Sequence, residues 1–135
     1  MGSFSDFLEL EVLDHVFGAA AYTAPATLYV ALYTVTPTDA SASGTEVTGG
    51  SYARVAVTNN ATNFPAAAAG AKSNGTAITF PAPTANWGVI VAFAIYDAAT
   101  VGNEITWGAI TPNKTVNSGD PAPSFAVGDL DITLD

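Results

Sequence analysis

The sequence predicts a mostly β protein: a single antiparallel β-sandwich or jelly-roll-like domain spanning 1–135, with one N-terminal α-helix at about 4–17 and the β domain over about 26–135. Three observations predict it. Apolar residues recur at helical spacing in one segment only, next to the N-terminus. Beyond it, short runs of β-branched and aromatic residues alternate with Gly, Pro, Asn and Ser clusters, giving about seven strands. At 135 residues the chain has the length of one domain and enough of it to bury a core.

The helix begins near Ser3 or Ser5, either of which can cap it, with Asp6 close to the positive end of its dipole. Phe4, Leu8, Val12 and His15/Val16 recur about every four residues, and Leu10, Leu13 and Phe17 widen the apolar face. Glu9, Glu11 and Asp14 fall largely on other faces, and Gly18 supplies the stop. A helix this apolar is not stable free in water, so it is expected to pack on the sheet or on another subunit.

Residues 27–33 (TLYVALY) form the first strand, with Leu28, Val30 and Leu32 on the core face and Tyr29 and Tyr33 on the other. A polar loop over 36–50 follows, gated by Pro37, and residues 51–59 (SYARVAVTN) give the second strand. A second long loop, 60–75, contains the Ala66–Ala69 run, and 76–80 is a short strand closed by Pro81 and Pro83. The apolar stretch 87–96 (WGVIVAFAIY) reads as the central strand, buried on both faces. Residues 103–110 and 115–116 add strands, and the chain closes with Leu130, Ile132 and Leu134 opposing Asp131, Thr133 and Asp135. Loops of such length contact a partner or are pinned by neighbours.

Composition excludes several function classes. Hydrophobic residues make up 49% and charged ones only 11%, about half the usual charged share. With a net charge of −9 and three basic residues (Arg54, Lys72 and Lys114), the chain lacks the cationic footprint that nucleic acid or an anionic membrane requires. No segment has the apolar length of a membrane span, and the N-terminal residues lack the pattern of a signal peptide. There is no cysteine, hence no disulfide and no thiolate metal site. The sequons at Asn60, Asn74 and Asn113 read as chance in a chain rich in Asn and Thr.

Little catalytic chemistry is available. His15 is the one ordinary general base, and it lies on an apolar helix beside Asp14 and Val16 with no nucleophile pattern near it, so it reads as structural or interfacial. A calcium site built from Asp129, Asp131 and Asp135 lacks a binding loop, and those residues read as solvated alternation. Glu9/Glu11 and Asp97/Glu104 are the nearest to paired carboxylates, with nothing to set either pair across a cleft. No catalytic residue, metal or cofactor is therefore expected.

Surface binding remains. Tyr22, Tyr29, Tyr33, Tyr52, Trp87, Tyr96 and Trp107 can stack on sugars or fill core edges and interfaces, with Tyr29 and Tyr33 the best exposed candidates. Arg54, mid-strand, is either a surface residue or pairs with an acid across a subunit boundary. The interface candidates are Phe4, Phe7, Leu8, Val12 and His15 on the helix, with Tyr29, Tyr33, Tyr52 and Arg54 on the strands.

The blocks FSDFLELEVLDHVFG, AYTAPATLYVALYT, GGSYARVAVTNNATNFP, GAKSNGTAITFP, WGVIVAFAIYDAAT and FAVGDLDITLD together resemble a family of short tailed-bacteriophage virion structural proteins over nearly the whole chain. Members are labelled tail fibre proteins, and small proteins of similar character serve as capsid cement or decoration proteins. The resemblance implies a non-enzymatic, β-rich virion component, a homotrimer, with no catalytic residues to carry over. The short length and the absence of a shaft or repeats favour a cement protein on the capsid exterior, held to the major capsid protein by the helix and the loops 36–50 and 60–75. The alternatives are a tail fibre, baseplate or adaptor component bound to other virion proteins, and a carbohydrate-binding receptor-recognition module.

Overall fold

The computed structural model describes residues 2–40 and 43–134. In chain order its elements are β1 (Gly2–Phe4), α1 (Asp6–Val16), β2 (Thr27–Val35), β3 (Thr45–Glu46), β4 (Val55–Thr58), β5 (Ala71–Ser73), β6 (Ile78–Thr79), β7 (Gly88–Tyr96), β8 (Glu104–Val116), β9 (Ser124–Phe125) and β10 (Asp131–Thr133). All pairings are antiparallel. A six-stranded sheet runs β1-β8-β7-β2-β3, with β4 also on β2, and two ribbons, β10-β5 and β6-β9, form the facing layer. This is the sandwich with one N-terminal helix that the residue pattern predicts.

The core lies between sheet and ribbons. Val30 and Leu32 of β2, with Ile90, Phe93 and Ile95 of β7, meet Ile78, Phe80, Phe64 and Leu130 from the opposite layer. Alternation along β2 is as read from the sequence, with Leu28, Val30 and Leu32 on this side. The other side of the sheet is covered too: Ala31, Tyr33, Ala92, Ala94 and Tyr96 form a second buried cluster, with Tyr29 and Trp107 packed against it. β7 is thus buried on both faces along its C-terminal half, whereas Val89 near its start is exposed.

The helix starts later than its periodicity suggests. Gly2, Ser3 and Phe4 pair with Gly108, Trp107 and Thr106 of β8, so Phe4 lies in an edge strand rather than in the helix. Backbone pairing with β8 supplies three residues with ladder partners that a frayed first helical turn would leave unmatched. Ser5 is the cap: its Oγ accepts the Leu8 N–H at 3.2 Å while its own hydroxyl donates to the Glu104 carbonyl. Gly18, at φ +89°, ends the helix, with the Ala19 N–H reaching the Asp14 carbonyl at 3.0 Å.

Several other boundaries shift. Residues 104–110 and 115–116 belong to one continuous strand, β8, which Asn103 precedes, and 51–54 precede β4 as a turn and coil. The loop 36–50 folds back on its own sheet: Pro37 is fully buried, the Asp6 N–H donates to the Asp39 carbonyl, and β3 pairs with β2. In the loop 60–75, Phe64 is buried and β5 pairs with β10, leaving residues 65–70 exposed. The sequon residue Asn74 is 2% exposed, and its side chain bonds Thr76, Ala126 and Leu130. Of the closing segment, Leu130 is buried and Leu134 is exposed, while Asp135 lies outside the described residues.

Candidate interaction surface

Two constellations stand out, one inside the molecule and one on its surface. The interior one centres on Arg54. β3 and β4 share the outer edge of β2 one after the other, and Tyr52 fills the gap between them. Its hydroxyl accepts the Leu32 N–H at 2.9 Å and donates to Glu46 Oε1 at 2.9 Å. Arg54 grips the same carboxylate with both arms, Nε to Oε1 at 2.9 Å and Nη2 to Oε2 at 2.8 Å. Its remaining Nη1 donates to the carbonyls of Ala98 (3.0 Å) and Val101 (2.9 Å), tying down the β7–β8 turn. The guanidinium lies 3.6 Å above the Tyr96 ring.

Beneath it runs a hydroxyl and carboxyl chain. Tyr33 and Tyr96 share a hydrogen bond at 2.5 Å, and Tyr96 donates to Glu104 Oε2 at 3.0 Å. Glu104 is fully buried, and its Oε1 has no hydrogen-bond partner. Burial pushes its carboxyl up to about 7; the Tyr96 hydroxyl and Arg54 oppose that rise and the charge of Asp39 adds to it. Burial likewise raises the hydroxyls of Tyr33, Tyr52 and Tyr96, which stay protonated at physiological pH. For Arg54 burial works downward, but the Glu46 hydrogen bonds and charge outweigh it and keep the guanidinium charged.

The structure corrects several expectations. Arg54 does not look for an acid across a subunit boundary, because Glu46 of its own chain neutralises it. Tyr33 is not an exposed ring: it is 3% exposed, since the loop 36–50 and Arg54 close over that side of the sheet. Tyr29 is half-buried beside it, and Tyr52 is half-buried between Phe80 and Trp87. The indoles are committed as well, Trp87 Nε1 to the Gly50 carbonyl and Trp107 Nε1 to Asp39 Oδ1, both at 2.9 Å. The candidate carboxylate pairs do not converge either: Asp97 accepts from the Asn103 N–H in the turn while Glu104 points inward to Tyr96. Asp131, weighed as a calcium ligand, accepts instead from the Ser73 hydroxyl at 2.6 Å.

The surface constellation is α1. Leu8 is its one buried residue, and from Val12 to Ala21 every residue is exposed. Phe7 is half-buried, edge-on to Tyr22 with centroids 6.4 Å apart, and Phe4 is half-buried in β1. His15 is exposed, and its Nδ1 accepts the Tyr22 N–H at 3.1 Å, which pins the returning chain. Helix candidates therefore divide: Leu8 serves the core, Phe4 and Phe7 lie at its margin, and Val12 and His15 are open. What the residue list missed is the outward face. Leu10, Leu13 and Phe17 are 64%, 53% and 80% exposed and lie on the side of the helix opposite Leu8. Their spacing of three and four residues was visible in the sequence, but with apolar residues on most sides of the helix they merge into one broad apolar face.

No group of three His, Cys, Asp or Glu side chains lies together as metal ligands among the described residues. Among them also, no helix is long and apolar enough to cross a membrane. The arrangement can hold a rigid shape and offer an apolar stripe. A family model described as podophage GP4 fiber I protein gp80 matches residues 3–133. No curated protein matches the chain.

Proposed function

The chain belongs to the podophage GP4 fiber I protein gp80 family, and on that premise we propose that it is a tail-fibre component of a short-tailed phage virion, acting by non-covalent assembly with other virion proteins. The observation that carries the reading is the family match, which spans residues 3–133 and so runs from within β1 to the end of β10. Capsid cement was favoured by short length and the absence of a shaft or repeats, yet neither property separates a decoration protein from a small fibre module. The fibre family favours the tail.

The molecule suits that role. Its polar groups are spent on rigidity, with Arg54, Glu46, Tyr52 and Tyr96 satisfying one another. The rings considered as a sugar platform are half-buried or buried, which weighs against the carbohydrate-binding reading. A homotrimer belongs to the same proposal, with the β body as its contact region.

Copy number tests the assignment. Quantitative mass spectrometry of purified virions is expected to give a ratio to the major capsid protein set by the symmetry of the tail, far below one copy per coat subunit. A ratio near one would return the protein to the capsid exterior.

A further inference from the structure

We propose that the outward face of α1 docks into an apolar groove rimmed by Lys and Arg side chains on a different virion protein, an inference that rests on the fibre reading above. Leu10, Leu13 and Phe17 form a stripe two turns long that the described residues leave exposed. Glu9 and Asp14 flank that stripe and Asp6 lies in line with it at its N-terminal end; all three are exposed. Every ionisable residue between 6 and 14 is acidic. An apolar seam edged on both sides by carboxylates matches a groove of opposite edge charge.

A second copy fits this face poorly. The three–four spacing is that of a coiled-coil seam, but parallel pairing sets Glu9 of one helix against Asp14 of the next, and antiparallel pairing again brings acid to acid. Two turns of seam do not offset such repulsion. Elsewhere on the chain the cations are too few to form a rim: Arg54 is held by Glu46, and Lys72 and Lys114 stand apart on β5 and β8. The complementary charge has to come from another protein.

The test uses the full chain and, as probe, purified virions of the encoding phage assembled without this protein. Leu13→Glu is expected to weaken binding by at least about tenfold, since a central apolar anchor becomes a buried charge. Glu9→Lys with Asp14→Lys is expected to weaken it by about tenfold at low salt and to abolish the loss of wild-type affinity that added salt produces. All three positions are exposed, so the melting temperature should hold; Phe17→Ser, outside the helix proper, replaces Leu13→Glu if that variant melts early. Wild-type binding with unaltered affinity in the anchor and charge variants would overturn the docking face and leave the fibre reading intact. Failure of the wild-type chain to bind these virions would instead strike the fibre reading. Dissolution of a wild-type oligomer by Leu13→Glu in sedimentation velocity would give the face to a second copy and overturn the proposal.

Discussion

Arg54→Leu is expected to lower the stability of the domain by about 3–5 kcal/mol, the usual cost of removing one partner from a buried ion pair. Four hydrogen bonds leave with the guanidinium: two to Glu46, one to the Ala98 carbonyl and one to the Val101 carbonyl. The Glu46 carboxylate then stays partly buried without its counter-ion, and the Tyr96 ring loses the cation that lies over it. For a chain of this length such a loss lowers the melting temperature by roughly 10 °C or more. Arg54→Lys keeps the charge without the planar fork and should lose about half as much. Removing both partners in Arg54→Leu/Glu46→Leu is expected to recover part of the loss, because no orphaned carboxylate remains. Thermal unfolding of the four proteins checks this. A single mutant within about 2 °C of wild type would mean that the pair contributes little, as exposed pairs do.

Glu104→Gln is expected to stabilise the protein at pH 8 by about 1–3 kcal/mol and to do progressively less as the pH falls. In the folded chain this carboxyl titrates at about 7 against an ordinary 4.5. The native state therefore binds the proton more tightly than the unfolded chain. Its contribution favours folding below about 4.5, weakens as the pH rises through the interval to about 7, and becomes a full penalty above it. Glutamine keeps an acceptor for the Tyr96 hydroxyl and removes the charge that burial opposes. The two proteins differ at this one carboxyl, so the difference between their urea unfolding free energies reports chiefly on Glu104. A difference that stays constant from pH 4 to pH 8 would contradict the account.

Local pattern carried much of the architecture. β2 and the C-terminal half of β7 were legible because alternation and β-branching coincide with burial, and the stop at Gly18 because that residue adopts positive φ. Phe4 was misplaced for a reason no local rule contains: residues 2–4 find their partners about a hundred positions away on β8. The same non-locality hid the Arg54 cluster. Glu46, Ala98 and Val101 lie in segments that read as polar loop and turn, and only the tertiary fold brings them to one guanidinium. Tyr33 looked exposed because alternation says which residues share a face but not whether a second layer covers it. The helix was legible as apolar, but its pattern alone does not say which apolar residues face the sheet and which, like Leu10, Leu13 and Phe17, face outward.

The chain's part in the virion, on this account, is to present one acid-edged apolar helix face from a stiff β body. Hydroxyl-radical footprinting of the free chain and of the chain within intact virions measures that face directly. Leu10, Leu13 and Phe17 should be oxidised in the free protein and strongly protected in the particle, while Val127, exposed in the 126–129 turn well away in sequence, keeps its reactivity. Equal oxidation of the three helix residues in both states would contradict the account.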